Sequence, residues 1–334
     1  MSGKNIVVAG AGSIGCFVGG QLAAAGRNVR FLGRRRIADE LAAHGLTVTD
    51  RDGGKARVEA SHIAIGTDPA VLAAADVILV AVKSGATREM ARTIAQFAPE
   101  AALVVSLQNG IDNTTILQEE LPRMQVVAGM VPFNVVALGE GRFHRGTDGD
   151  IVVDARAAAL APELSTPAMK VTTHPDMKAV AWGKLLLNLN NALNALAGVP
   201  LREEIADRRW RLVLAVCIDE ALAALRAAGI RPVKVAALPP AVLPRVLRLP
   251  NFLFRLVAAR QVKIDPKALS SMCNDLEQRR PTEIDQLQGA VVALASAQGL
   301  HAPMNQAVLD LVKNAETKGA GSPRLSPAEV VRSH

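Results

Sequence analysis

Residues 182–196 read WGKLLLNLNNALNAL, which sets one ammonium and four amides in a helix otherwise built from Leu, Ala and an N-terminal Trp-Gly. An ammonium in apolar surroundings is poorly hydrated and holds its proton less tightly than in water. Such a buried polar group needs partners, from the protein or from a ligand. At about 100° per residue, Lys184, Asn188 and Asn191 fall within roughly 60° of one another, while Asn190 and Asn194 lie off that stripe. A ligand rich in oxygen atoms would satisfy the stripe. The competing reading is a Lys that reaches solvent and asparagines that bond neighbouring helices.

A second constellation lies near the start. GAGSIG follows the β-branched run NIVVA and opens a helix, so Gly10, Ala11, Gly12, Ser13, Ile14 and Gly15 form a strand–turn–helix glycine motif. Gly10 permits the tight turn, Gly12 lets a pyrophosphate approach the backbone, and Gly15 lets helix and strand pack closely. The helix N-terminus supplies free N–H groups and a positive dipole end for phosphate. The second strand ends FLGRRR, with Arg34 about where an NAD site carries its acid. An Arg there suits a 2′-phosphate, which favours NADP; the competing reading is a solvated basic turn. Lys83 closes the third strand and reads either as a cofactor or substrate contact or as an exposed strand-end Lys. Gln108 and Asn109 close the fourth, where Asn109-Gly110 also suits a plain turn.

The third constellation is SSMCNDLEQRRPTEIDQLQG, residues 270–289. Pro281 and Thr282 open a helix with Glu283 in its first turn, where a carboxylate is favoured by the dipole. Ser271 lies a turn into the preceding helical pattern. Both residues also have plain structural readings.

The elements that must position these groups follow from periodicity. Strands are expected at 5–9, 28–32, 76–82, 102–107 and 125–131, with helices at 13–25, 37–44, 86–98 and 112–121 between them. That alternation indicates a parallel sheet covered on both faces. Residues 132–173 look antiparallel, with Gly-rich turns. Helical patterns follow at 178–197, 204–228, 234–247, 251–261, 266–278, 281–298 and 303–315. The expected fold class is therefore α/β: a Rossmann-type doubly wound sheet over 1–173, an all-helical domain over 178–317, and a small, polar, mobile tail over 318–334.

Composition narrows the partners. The chain has 334 residues, a net charge of +7, half apolar residues, no Tyr and few aromatics. Stacking platforms for nucleic acid are not expected, and the clusters Arg34–Arg36, Arg208–Arg211 and Arg279–Arg280 read as solvated basic faces. Three distant cysteines, Cys16, Cys217 and Cys273, give no disulfide framework or paired metal motif, and six histidines show no ligand spacing, so no metal is expected. Cys16 reads as a packing residue, although a helix N-terminus lowers a thiol pKa. MSGKNIVVAGAGSIG does not read as a signal peptide, and no apolar run reaches membrane-spanning length. Neither a nucleic-acid nor a membrane partner is expected. The expected location is the cytoplasm. A homodimer is compatible with the helical faces without being required by them.

Taken in order, GAGSIG, VK at 82–83, LQNG at 107–110, KLLLN at 184–188, Ser271 and PTEID at 281–285 resemble the ketopantoate reductases, or 2-dehydropantoate 2-reductases. The resemblance covers nearly the whole chain. It implies a Rossmann domain, a helical C-terminal domain and an active site between them. It implies NADPH-dependent reduction of ketopantoate to pantoate, a step of pantothenate and coenzyme A biosynthesis. Lys184 matches the catalytic Lys beside the keto oxygen, and Glu283 the Glu that binds the substrate hydroxyl. Asn109, Asn188 and Ser271 match polar residues lining the substrate and nicotinamide site. Lys83 matches a Lys near both, and Arg34 the 2′-phosphate Arg. The family often carries a second Asn eight residues after the Lys. Here that position is Ala192, and Asn191 on the Lys184 face is the substitute on offer. The alternatives are an NADP-dependent reductase of another 2-oxo or 3-oxo acid, and a non-catalytic NADPH-binding regulator.

Overall fold

The computed structural model describes residues 3–235, 238–258 and 268–333. The chain divides into two compact units, Met1–Met177 and Lys178–His334.

The first unit holds the strands β1 (Asn5–Ala9), β2 (Asn28–Leu32), β3 (Leu46–Asp50), β4 (Lys55–Val58), β5 (Ala64–Gly66) and β6 (Val77–Val80). It continues with β7 (Leu103–Ser106), β8 (Val126–Met130), β9 (Val135–Gly139), β10 (Arg142–Arg145), β11 (Ile151–Asp154) and β12 (Val171–His174). Its helices are α1 (Ser13–Ala24), α2 (Arg35–His44), α3 (Thr87–Phe97), α4 (Asn113–Glu120) and α5 (Ala161–Leu164). The main sheet runs β12-β11-β8-β7-β6-β1-β2-β5. From β8 to β5 every pairing is parallel.

Parallel strands of this kind are covered on both faces, and the packing shows why the apolar runs are unbroken. Ile6 and Val8 of β1 join Phe17 and Leu22 of α1 in one core. Val7 and Ala9, pointing the other way, join Ala91 and Ile94 of α3 and Leu117 of α4 in a second. The strand order reverses between β1 and β6: β2 and β5 lie on one side, β7 and β8 on the other. Such a switch point leaves a crevice at the carboxyl ends of the strands, where ligands bind in open α/β sheets.

Two features depart from the sequence reading. The periodicity predicts no element over residues 45–75, yet they supply β3, β4 and β5. β3 and β4 join β9 and β10 in a second sheet, ordered β4-β3-β10-β9, which packs on α1. Residues 132–173 are not uniformly antiparallel. β9–β10 and β8–β11 are, but a 3-10 turn at Ala155–Leu160 and α5 intervene, and β12 pairs parallel to β11. Small residues there carry no periodicity strong enough to reveal a helical crossover.

The second unit holds α6 (Met177–Asn188), α7 (Asn190–Ala197), α8 (Leu201–Ala206), α9 (Arg208–Ala227) and α10 (Leu243–Leu247). It continues with α11 (Asn251–Ala258), α12 (Ser271–Glu277), α13 (Ala290–Ala297), α14 (Pro303–Lys318) and α15 (Pro327–Arg332). α9 is its central member and packs against α8, α10, α13, α14 and α15. The helices are shorter than periodicity suggests. The 178–197 pattern breaks at Leu189, and the 204–228 pattern breaks at Asp207, which caps α9 by accepting from Arg209 N–H at 2.8 Å. In its described part the 234–247 pattern gives only a 3-10 turn at Pro240–Val242 and α10, because Pro239, Pro240 and Pro244 restrict where a helix can begin. Parts of the 234–247, 251–261 and 266–278 patterns lie outside the described residues.

Two further expectations are corrected. The Arg208–Arg211 cluster is not wholly a solvated face, since Arg211 is 0% exposed. Its guanidinium donates to the carbonyls of Ile205, Ala206, Leu247 and Leu249 and to Asn251 Oδ1, at 2.9–3.1 Å. Phe254 lies under it, 4.0 Å from ring centroid to guanidinium. One side chain thus satisfies carbonyl groups that the ends of α8 and α10 leave without helical partners. The 318–334 stretch, expected to be a mobile tail, instead carries α15. That helix has a full capping box between Ser326 and Glu329, and Pro327 and Val330 are buried.

Candidate functional site

In the first unit the glycine turn is built for close approach. Gly10 has φ +112°, and a Cβ there would sit 2.8 Å from Val82. Its N–H and that of Ala11 donate to Leu32 O, at 3.0 and 3.1 Å, which ties the turn to the end of β2. A Cβ on Gly15 would collide with the carbonyl of Gly10. α1 begins at Ser13 with Gly12 as its cap, no side chain caps it and its first turn has no acid. The first N–H groups of a helix have no internal partner, so this end suits a phosphate.

At the end of β2, Arg34, Arg35 and Arg36 are all exposed. Arg35 faces Asp39 at 3.4 Å and Arg36 faces Glu40 at 2.9 Å, both along α2. Among the described residues Arg34 has no acidic partner. Of the three arginines it is the one whose charge is not already matched, and it stands at the N-terminal cap of α2.

Lys83 and Asn109 sit just past the carboxyl ends of β6 and β7. A buried polar network joins these two strand ends. Gln108 Nε2 donates to Val82 O at 3.0 Å and to Thr87 Oγ1 at 2.7 Å. The Thr87 hydroxyl lies 2.6 Å from Asn113 Oδ1, and Asn113 Nδ2 donates to Ser84 Oγ at 3.0 Å and to Asn109 O. Ser106 donates to Gln108 Oε1 at 3.1 Å. A fully satisfied network of this kind holds the strand ends in one arrangement. The structure therefore brings Gly10–Gly15, Arg34, Lys83 and Asn109 to one edge of the parallel sheet. Sequence reasoning did not find Ser84, Thr87, Ser106 and Asn113, because isolated Ser, Thr and Asn residues carry no spacing signal.

In the second unit Lys184 lies on α6, half-buried. Desolvation lowers its pKa from 10.5 to about 8, and Glu283 opposes that shift. The helix break at Leu189 places Asn188 at the end of α6 and Asn191 in α7, so the single continuous stripe expected from periodicity is interrupted. Gln288, 0% exposed, donates to Leu189 O at 2.9 Å beside this break.

Glu283 is not in the first turn of an α-helix. It precedes a π-helical turn, Asp285–Gly289, that leads into α13. Such turns are uncommon and recur at functional sites. α14 holds the segment in place: Thr282 N–H donates to Glu316 Oε1 at 2.6 Å, and Lys313 pairs with Asp285 at 2.6 Å. Ser271 is exposed and opens α12, whose N-terminal cap is its buried neighbour Ser270. Ser270 Oγ accepts from Cys273 N–H and donates to Asn191 O at 2.9 Å. The Ser-Ser pair before an apolar run was the available signal for this cap.

The remaining asparagines of the opening stretch have structural partners. Asn194 Nδ2 donates to Glu204 Oε2 and to Val199 O, each at 2.9 Å, and Asn194 Oδ1 accepts from Ser270 N–H at 2.8 Å. Asn190 Nδ2 donates to Glu204 Oε2 at 3.3 Å. Burial pushes the Glu204 carboxyl up to about 8, against the two amides that lower it. The three cysteines are buried and free. Burial, then Glu40, pushes the Cys16 thiol up to about 12, so desolvation outweighs the helix N-terminus. No cluster of His, Cys, Asp and Glu fit for a metal occurs among the described residues. No described helix is long and apolar enough to cross a membrane.

The first unit thus carries a glycine turn at the edge of a parallel sheet, and the second a desolvated amine on α6. The sequence profile described as "Ketopantoate reductase PanE/ApbA" matches residues 6–157, and the one described as "Ketopantoate reductase PanE/ApbA C terminal" matches 176–316. The chain belongs to this family and is an oxidoreductase. It is 30% identical over 327 residues to a 2-dehydropantoate 2-reductase of Halobacterium salinarum, spanning 94% of this chain and 99% of that one. A solved PanE/ApbA family ketopantoate reductase from Ralstonia eutropha superposes with a TM-score of 0.80 at 27% identity, covering 94% of this chain and 99% of the other. D-mandelate dehydrogenase, solved with NADH and anilino(oxo)acetate, shares the fold at a TM-score of 0.78 and 19% identity, over 94% of this chain and 99% of its own.

Proposed function

We propose that this protein reduces 2-dehydropantoate (ketopantoate) to pantoate with NADPH. The observation that carries the reading is the family match over residues 6–157 and 176–316; Lys184 on α6 agrees with it, an amine that desolvation lowers to about 8 against the opposing influence of Glu283. NADPH, when bound, supplies a hydride to the C2 carbonyl of a 2-oxo acid. The uncapped end of α1 and the close approach at Gly10 and Gly15 fit its pyrophosphate, and the acid-free guanidinium of Arg34 fits a 2′-phosphate. Lys83 and Asn109, fixed by the Gln108–Thr87–Asn113 network, are assigned to the nicotinamide and substrate end.

The ammonium of Lys184 stabilises charge developing on the carbonyl oxygen and donates its proton there. Glu283 accepts from the substrate hydroxyl and keeps Lys184 protonated near neutral pH. Asn188, Asn191 and Ser271 orient the substrate carboxylate and hydroxyl. Ala192 is fully buried, so the missing family amide falls to Asn191. The assigned place is the cytoplasm and the pathway pantothenate and coenzyme A synthesis; a homodimer is compatible with the helical faces and is not required by the reading.

The test is oxidation of NADPH, and separately NADH, by the purified protein with ketopantoate and a panel of other 2-oxo and 3-oxo acids. Turnover of ketopantoate with NADPH preference is expected. Turnover of other acids alone would keep the Lys184 chemistry and reassign the pocket. Binding of NADPH with no turnover of any acid would favour a regulator.

A further inference from the structure

Glu204 is a carboxyl group that the proposed reaction does not use. It is 1% exposed, in the middle of α8, and no ion pair reaches it among the described residues. Its Oε2 accepts from the amides of Asn190 and Asn194. Its Oε1 is buried without a partner, and so is Asn190 Oδ1. Two buried acceptors with no donor are costly, and one proton on the carboxyl can serve both. An acid and an amide set side by side make two complementary bonds, N–H to C=O and O–H to C=O. The first of these is already seen, from Asn190 Nδ2 to Oε2.

The same cluster ends at the proposed substrate-binding residues. Asn194, held by Glu204, accepts from the backbone of Ser270, and Ser270 donates to Asn191 O. These bonds seat the start of α12, and with it Ser271, against α7. We propose that Glu204 is a positioning residue, carried as the neutral acid, whose proton bonds Asn190 and whose cluster latches α12 to α7 so that Ser271 and Asn191 keep a common register. This rests on the substrate reading given above for Ser271 and Asn191.

The electrostatic surroundings agree. The proton affinity of Glu204 is raised first by burial, and the opposing influences are the neutral amides of Asn194 and Asn190. On its own helix Arg202 and Glu203 are exposed. From α9, Arg208 and Arg211 donate to carbonyl groups, and Arg209 bonds Asp207. From α12 the facing titratable group is Cys273, whose thiol burial, then Glu277 and Glu204, push up to about 11. No cation among these offsets a charge on Glu204. The folded protein therefore holds a proton that the unfolded chain releases near pH 4.5. Stability is lost as pH rises from there through about 8.

Both tryptophans, Trp182 and Trp210, lie in the second unit, so intrinsic fluorescence reports its unfolding in the full chain. Urea unfolding is compared between pH 5 and 8 for wild type, Glu204→Gln and Glu204→Leu. Gln offers a C=O acceptor and an N–H donor for Asn190 in nearly the shape of the neutral acid, with one further N–H, and cannot ionise. The unfolding equilibrium constant of wild type is expected to rise with pH, relative to Glu204→Gln, on the order of a hundredfold or more. Glu204→Gln is expected to keep kcat and KM within about twofold at pH 7, while Glu204→Leu raises KM with NADPH affinity unchanged. At pH 9 the wild-type KM for the 2-oxo acid rises relative to Glu204→Gln. Parallel pH dependence in wild type and Glu204→Gln would overturn the proposal, as would Gln proving as damaging as Leu. The latter would mean an ionised Glu204 with a water or cation at Oε1. The unfolding comparison reads the proton even if no 2-oxo acid is turned over, so failure of the latch and failure of the reductase reading are distinguishable.

Discussion

Replacing Lys184 by Met should make the protein more stable and nearly inactive at once. Lowering an amine from 10.5 to about 8 corresponds to about 3 kcal/mol against the charged form in the fold. The half-buried side chain keeps some contact with water, so about 2 kcal/mol is the expected effect. Met fills similar volume with no charge to desolvate. The sign depends on pH. Below about 8 both folded and unfolded wild type carry the charge, and the fold bears its full cost. Between about 8 and 10.5 the folded amine is neutral while the unfolded one is still charged, so wild type recovers stability and the advantage of Met fades. Tryptophan-detected melting at pH 7 should therefore show Lys184→Met higher by about 5 °C, with the gap closing toward pH 10.5. Turnover with NADPH and the 2-oxo acid should fall by about 10²–10⁴-fold, with NADPH binding intact. Wild-type kcat should itself decline above pH 8 as the donor loses its proton. If Lys184→Met turns over like wild type, the assigned proton donor is wrong. If it melts lower at pH 7, Glu283 outweighs desolvation and the argument from burial fails.

Three other changes test separate links. Arg34→Ser should weaken NADPH by about 10–100-fold and NADH by less than about threefold, because only the 2′-phosphate loses its partner; equal losses would place Arg34 outside that contact. Arg211→Met should destabilise the second unit by about 3 kcal/mol, seen in urea unfolding, since the Leu247 carbonyl would be left buried and unpaired and those of Ile205, Ala206 and Leu249 would lose their donor. Glu316→Ala frees Thr282 N–H and loosens the segment bearing Glu283, so stability should fall by about 1–2 kcal/mol and kcat should drop while the Kd for NADPH holds. An unchanged kcat would show that Glu283 does not depend on α14.

The glycine motif was legible because its function needs an unusual residue at fixed intervals. A positive φ at Gly10 and a collision at Gly15 are backbone facts that only Gly tolerates. The parallel strands were legible because burial on both faces leaves long apolar runs. Helix lengths were not, because Asn, Asp and Pro interrupt patterns whose apolar period continues across the break, as at Leu189 and Asp207. Glu283 reads as a first-turn residue from Pro281 and Thr282. α14 instead holds that segment through Glu316 and Lys313, contacts about thirty residues distant in sequence.

The amino-acid order by itself determined the α/β class, the nucleotide turn, the family resemblance and the set of polar residues worth testing. Each rests on local backbone demands or short spacings. The tertiary structure decided which polar residues are structural. Of the four asparagines in one short stretch, Asn190 and Asn194 were claimed by Glu204, a residue no motif singled out. Of three neighbouring arginines in α9, Arg211 became a buried tie for carbonyl groups while the other two stayed at the surface. Burial and long-range hydrogen bonding are properties of packed neighbours, so the same side chain reads alike in sequence whether it ends in solvent, in a core or against a substrate.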